Sequence, residues 1–252
     1  MSDTTSSPEA DGSPLFLLDE VPDGDVVTVD GAEGRHAVDV LRLAAGERVR
    51  VSDGRGLLVE GTVLTAETSV LRVQVLARHD VPAPEPAFVL VQALPKGDHG
   101  PLAVDLATEL GVDRIVPWTA ARCVTKWRED RVEKGLAKWR AAARAARKQA
   151  RRPRVPEVTE PMSTREVCGL LGDADLAVVL HEQARAPFMK VDVPRTGTIA
   201  VVVGPEGGLT DGEVVAFRAA GAHSVRLGTE VLRTSTAGAA ALAALSARTR
   251  WQ

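Results

Sequence analysis

The rhythm of apolar positions changes near residue 81. Between residues 15 and 80, valine- and leucine-rich runs at 26–29, 47–52, 57–64 and 70–76 read as strands. Asp53-Gly54-Arg55-Gly56, between two of them, signals a hairpin, because glycine accepts the positive φ of tight turns. A helical piece from Arg35 to Leu43 interrupts the strands and ends near Gly46. Pro82, Pro84 and Pro86 then hold the chain extended and remove ladder donors, which predicts a linker over 81–87.

Beyond the linker, strands alternate with helices. Strands are expected at 88–94, 114–117, 176–180, 198–203 and 224–227. A helix over 101–110 is stopped by Gly111. A long helix over 129–151 places Val132, Leu136, Trp139, Ala143, Ala146 and Ala150 on one face at steps of three and four. Thr210 with Glu213 three residues on is a capping box opening another helix, and an alanine-rich helix ends the chain. Such alternation argues for an α/β domain over 88–252 with a mostly parallel sheet, preceded by a β-rich domain over 15–80 and a disordered tail over 1–14.

Composition narrows the class. With 252 residues, 44% of them hydrophobic, the chain can bury a substantial core, yet no run approaches the ~18 apolar residues of a membrane span. The polar, acidic N-terminus lacks a signal pattern, so a cytoplasmic protein is expected. Cys123 and Cys168 lie far apart and the five histidines are scattered, so neither a disulfide nor a metal site is expected. The net charge of −3 hides an asymmetry: residues 122–154 hold thirteen Lys or Arg against three acids, a net of +10, leaving −13 for the rest. This segment is either a patch for a polyanion or a solvated helix face. Arg140, Arg144, Arg147 and Arg151 recur at steps of four, three and four, one arginine stripe along the helix. Trp139 falls on the apolar face and belongs to the core; Trp127 fits either packing or base stacking. His36 and Arg42 fit either contact with a polyanion or plain solvation.

The candidate chemistry gathers near the carboxyl end. Gly204-Pro205-Glu206-Gly207-Gly208-Leu209 follows an apolar strand and precedes a helix, and residues 227–237 repeat the plan. Turns at the carboxyl ends of neighbouring strands are where open α/β sheets place ligands. The turn lacks the Lys-Ser/Thr of a P-loop, has no Gly-x-Gly-x-x-Gly, and carries a carboxylate that repels phosphate, so a neutral or cationic ligand suits it better. Closing a strand-to-helix turn is the alternative role for these glycines.

Taken together, Val203 to Leu209, Leu227-Gly228 and Val231-Leu232-Arg233-Thr234, with Thr236-Ala237 after it, resemble the RsmE family of the SPOUT class of RNA methyltransferases. His36, the run 40–43, Gly46, Lys96-Gly97-Asp98, 109–112, Arg122-Cys123 and 149–156 also fit that family, so the resemblance spans nearly the whole chain. It implies a C-terminal deep trefoil knot, a preceding PUA-like β-barrel domain that helps hold RNA, and a homodimer. It implies S-adenosylmethionine as cofactor and 16S rRNA of the small ribosomal subunit as partner, methylated at N3 of one uridine. By position, the cofactor would meet Leu180, His181 and Glu182, then Gly204, Pro205, Glu206, Gly207 and Gly208. Leu227, Gly228, Val231, Leu232, Thr234 and Ala237 complete that set. Arg233 is the candidate catalytic residue. His36, Arg42, Lys96, Arg122, Arg140, Arg144, Arg147, Arg151 and Arg152 are the candidate RNA contacts. Ser235 stands where many members carry a glutamate, and Asp105-Leu106 and Arg147-Lys148 also depart from the common pattern. A SPOUT enzyme acting on another RNA or at a ribose hydroxyl, and a non-catalytic RNA-binding module, are the competing functions.

Overall fold

A computed structural model describes residues 12–252, and the first eleven positions of the expected tail lie outside them. The chain divides into two units: one runs to Ala83 and takes in Arg147–Val155, while the other comprises Pro84–Ala146 and Pro156–Gln252.

In the first unit, β1 (Leu15–Leu17), β2 (Val26–Val29), β3 (Arg48–Ser52), β4 (Leu57–Glu67) and β5 (Val70–Asp80) form one sheet in the order β1-β3-β4-β5-β2. Only β1 pairs in parallel. Among the described residues β1 and β2 are the sheet's two edges, and no pairing between them closes the expected barrel. Alternating valines bury one face, with Phe16, Val27, Val29, Val49, Val51, Val59, Leu71 and Val73 at the centre of the core. The expected helical piece is α1 (Gly31–Arg35) followed by a π-helical turn over His36–Val40. Asp53 shapes the predicted hairpin by accepting from the N–H groups of Arg55, Gly56 and Leu57 at 2.7, 3.1 and 3.0 Å. Burial pushes its carboxyl up, but these bonds together outweigh it and hold the group below the usual carboxylate value. Ser13 and Pro14, assigned to the tail from sequence, instead accept from the side chain and backbone of Arg50.

The second unit contains a six-stranded sheet that is parallel throughout, in the order β11-β9-β10-β6-β7-β8. Its strands are β6 (Ala87–Ala93), β7 (Arg114–Trp118), β8 (Glu157–Val158), β9 (Leu176–Leu180), β10 (Thr198–Val203) and β11 (His223–Val225). Near-continuous apolar runs such as Thr198–Val203 suit strands covered on both faces. The helices are α2 (His99–Glu109), α4 (Thr164–Asp173), α5 (Asp211–Ala219) and α6 (Thr234–Arg248). The long α3 (Glu129–Gln149) begins in this unit and ends in the first. The capping box predicted at Thr210 and Glu213 is present on α5, and α4 carries a second one, Ser163 with Glu166. β1, β8 and α4 were not anticipated; β1 and β8 hold three and two residues, too few to show a period.

Two expectations change here. The strands preceding the two C-terminal turns are not neighbours, because β9 lies between β10 and β11. Nor does the basic segment present one face. Its last part serves the first unit: Lys148 pairs with Glu33 at 2.9 Å, Arg154 donates twice to the Val81 carbonyl, and the Pro153 carbonyl accepts from the Ser52 hydroxyl.

Candidate functional site

The carboxyl ends of β9, β10 and β11 open into one cavity of about 510 Å³. From the segment after β9 come Leu180, His181 and Glu182, and from that after β10 come Gly204, Pro205, Glu206, Gly207 and Gly208. The connection from β11 to α6 supplies Leu227, Val231, Leu232 and Arg233, and α6 adds Thr234 and Ala237. Gly228, predicted with them, is not part of this wall. Sequence reasoning did not assign His99, Gln183, Val203, Leu209 or Arg226 to the site; Glu230, within the expected 227–237 loop, and Arg122, expected to contact RNA, also line the cavity. His99 arrives from a fourth strand end, that of β6, which pairs with β10. The signal for it was the Lys96-Gly97-Asp98 turn, which follows an apolar strand just as Gly204 to Gly208 does.

Hydrogen bonds fix the walls. The Gly208 N–H donates to the Pro205 carbonyl at 2.9 Å, and Gly208 takes φ +71°, a left-handed value that suits glycine. Arg122 braces this turn, its Nη1 donating to the carbonyls of Gly207 and Leu209 at 3.1 Å each. Glu206 Oε1 accepts from the Lys96 N–H at 3.0 Å, tying the β6 loop to the β10 loop. The Thr234 hydroxyl donates to the Gly204 carbonyl at 2.8 Å and accepts from Gln92 Nε2 at 3.0 Å. Thr234→Val keeps the shape and deletes both bonds in a buried place. The expected result is ~1–3 kcal/mol lower stability, read as an earlier denaturant midpoint at constant slope.

The wall carries both signs of charge, with Arg122, Arg226 and Arg233 facing a set that includes Glu182, Glu206 and Glu230. The Thr229 hydroxyl and nearby backbone N–H groups hold the Glu230 carboxyl below its usual value. A ligand bearing carboxylate and cationic groups together matches such a wall better than a polyphosphate does. Among the described residues no group of three His, Cys, Asp or Glu could hold a metal ion. Neither cysteine lines the cavity. Burial pushes the Cys123 thiol up, with Glu206 and Glu213 adding to the effect, so it stays protonated and is a poor nucleophile. Ser235 is buried and lies outside the cavity wall.

The predicted RNA residues divide between the two units. His36 (half-buried), Arg42 (exposed, φ +55°), Arg147, Arg151 and Arg152 belong to the first unit; Lys96, Arg122, Arg140 and Arg144 belong to the second. The arginine stripe fails at Arg147, which is completely buried and therefore no RNA contact. Arg151 lies past the helix end in a left-handed conformation, which breaks the helical period. Arg140 is exposed but bonded to Glu160 at 2.9 Å, and Arg144 is exposed. Trp139 is in the core as expected.

Comparison with known proteins matches residues 83–246 to a family described as an RNA methyltransferase domain and residues 29–75 to an RNA methyltransferase PUA domain. A ribosomal RNA small subunit methyltransferase E from Mycobacterium bovis is 44% identical over 243 residues, covering 94% of this chain and 93% of its own. Its Bacillus subtilis counterpart is 27% identical over 238 residues, covering 91% and 93%. Among solved structures, the Neisseria gonorrhoeae ribosomal RNA small subunit methyltransferase E bound to S-adenosyl methionine superposes with TM-score 0.82 at 28% identity. That match covers 94% of this chain and 98% of the other. A Legionella pneumophila putative methyltransferase in complex with the same cofactor gives 0.79 at 25% identity, covering 94% and 98%.

Proposed function

The chain belongs to the ribosomal RNA small subunit methyltransferase E family, and on that premise we propose that its cavity binds S-adenosylmethionine and delivers the methyl group to N3 of a uridine in 16S rRNA. The observation that carries this reading is the convergence of four segments that follow strand ends on one mixed-charge cavity with a glycine turn and no lysine among its lining residues. Its volume lies within the range of small-molecule sites, roughly 300–1,000 Å³. The cofactor has no phosphate and carries a sulfonium, an ammonium and a carboxylate, so Glu206 is no obstacle and the paired Arg and Glu residues are complementary to it.

Methyl transfer from sulfur to nitrogen is an in-line displacement that gains chiefly from positioning, worth up to ~7–11 kcal/mol. The uridine must leave its stack to reach the donor. As N3 loses its proton, negative charge spreads to O2 and O4, and a cation near them would stabilise it; the exposure of Arg233 on the cavity wall supports that role for it. Methylation at a pyrimidine carbon would call for an activating nucleophile, and neither Cys123 nor Cys168 lines the cavity.

A trefoil knot and a homodimer belong to the same proposal. From β11 at the sheet edge the chain crosses past β9 and β10 to α6, whose Thr234 bonds to Gln92 of β6 and to Gly204, and such a crossing supports threading. Exposed Val215, on α5 and outside the cavity wall, is apolar surface that a second copy would cover, which supports the dimer. The reading is tested by incubating the protein with the cofactor and small ribosomal subunits lacking the modification. Nucleoside mass spectrometry should then reveal one 3-methyluridine per particle. A ribose-methylated product, or none, would reject it.

A further inference from the structure

A second cavity, of about 170 Å³, opens beside the first and is lined by Leu94, Pro95, Trp127, Lys134, Lys138 and Trp139, with Arg131 on its wall. From this geometry we infer that the cavity is a subsite for one unpaired nucleotide of the substrate RNA, next to the base being methylated. The inference rests on the methyltransferase reading above and adds a place and a mode of RNA contact to it.

Size comes first. An apolar cavity of about 150 Å³ accommodates benzene, so this one, of about 170 Å³, has room for a single planar ring. Its aromatic wall is built, not incidental. Trp127 meets Trp139 edge-on, with ring centroids 5.4 Å apart. Both indoles lie against glycines: a Cβ on Gly135 would fall 2.4–2.7 Å from Trp127 ring atoms, and one on Gly100 would fall 2.6–3.1 Å from Trp139. Gly135 sits inside α3, where glycine costs about 1 kcal/mol relative to alanine, so the missing Cβ has a use: it seats the Trp127 ring. Trp139 is buried, but Trp127 is only half-buried and keeps ring surface on the cavity. Bases of any sequence can stack on such a ring.

Charge supplies the second argument. Arg131, Lys134 and Lys138 lie at steps of three and four, so they share one face of α3, and all three are exposed. At 100° per residue, Arg140 lies on the opposite side of the helix from Arg131. The cations that accompany an aromatic cavity are therefore not those of the predicted stripe. On this wall Asp98 is the acid, and Arg131 is only 3.9 Å from Asp130, leaving the two lysines for phosphodiester oxygens.

Position supplies the third. The loop after β6 and the start of α2 line both cavities, with Pro95, Gly97 and Asp98 on the small one and His99 on the large one. Glu206 of the larger cavity bonds to Lys96 of this same loop. The two cavities are thus separated by one strand-to-helix connection, which suits successive nucleotides of one strand splayed from a stack.

The test compares wild type with Trp127→Ala, Trp127→Phe and the double variant Lys134→Ala/Lys138→Ala, each checked for unchanged melting temperature. Transfer from tritiated S-adenosylmethionine to small subunits lacking the modification gives KM and kcat; filter binding of a 16S rRNA transcript across salt gives affinity. For Trp127→Ala, RNA KM and Kd should rise about tenfold, the value of one stacked base, with kcat and cofactor Kd within twofold. Trp127→Phe should recover most of the loss, and the lysine pair should lower the salt slope by between one and two. Unchanged RNA affinity in Trp127→Ala, or a parallel loss of cofactor binding or melting temperature, would overturn the subsite. A wild type that transfers no methyl group but binds RNA through Trp127 would instead reject the methyltransferase reading and leave the subsite standing.

Discussion

Arg233→Ala lowers kcat for methyl transfer by roughly 10²–10³-fold while the Kd for S-adenosylmethionine stays within about a factor of two. A cation aimed at a developing anion matters most where charge appears only in the transition state, and loss of one such donor costs about that much. Arg233 occupies the N-cap position of α6, where its carbonyl accepts from Thr236 and Ala237 at 3.0 and 2.9 Å. Those bonds fix the backbone and leave the exposed side chain free to face a ligand in the cavity. Alanine keeps the backbone role, so the α6 terminus and the Thr234 bonds persist, and cofactor binding should survive. Arg233→Lys, a point charge without the planar fork, should recover only part of the rate. Stopped-assay kinetics at saturating cofactor and isothermal titration of the cofactor separate the two effects. Normal turnover in the alanine variant would remove Arg233 from the chemistry.

Much of the site was legible because glycine, proline and apolar runs punctuate strand-to-helix connections in one dimension. Gly204 to Gly208 follow a six-residue apolar strand, and Thr210 with Glu213 announces the helix beyond. Sheet order was not legible. Period and propensity locate β6, β9, β10 and β11 but say nothing of which lie side by side, since register and neighbours are tertiary facts. For that reason β9 was not foreseen between the two glycine-rich strand ends, and His99, the first residue of α2 beyond β6, was not assigned to the cavity. The arginine stripe failed for a related reason. Helical spacing gives the face of a residue but not what packs there, and Arg147 is buried where the period alone implied solvent. Arg122 was assigned to RNA contact alone, and its bonds to Gly207 and Leu209 add the role of a strut of the glycine turn, one set by residues more than eighty positions away.

That strut has an anchor of its own, and Glu213→Ala is expected to cost ~3–5 kcal/mol of stability. Glu213 is 5% exposed, and its carboxylate accepts from the Thr210 N–H, the Thr210 hydroxyl and the Ala121 N–H, each at 2.8 Å. Bonds to a buried carboxylate exceed those between neutral groups, and alanine would leave two backbone donors without this acceptor. At roughly 2–4 °C per kcal/mol for a chain of this size, the melting temperature should fall by about 6 °C or more. The effect should reach the cofactor. Ala121 precedes Arg122, so freeing its N–H loosens the guanidinium that holds Gly207 and Leu209, and cofactor affinity should drop along with stability. Glu213→Gln separates the two consequences. Its amide oxygen can keep one backbone donor, but its NH₂ group meets another donor, so stability should recover only in part. Differential scanning calorimetry with and without cofactor reads both quantities. If Glu213→Ala melts with wild type, the carboxylate does not join β7's exit to α5, and Arg122 must be held by other means.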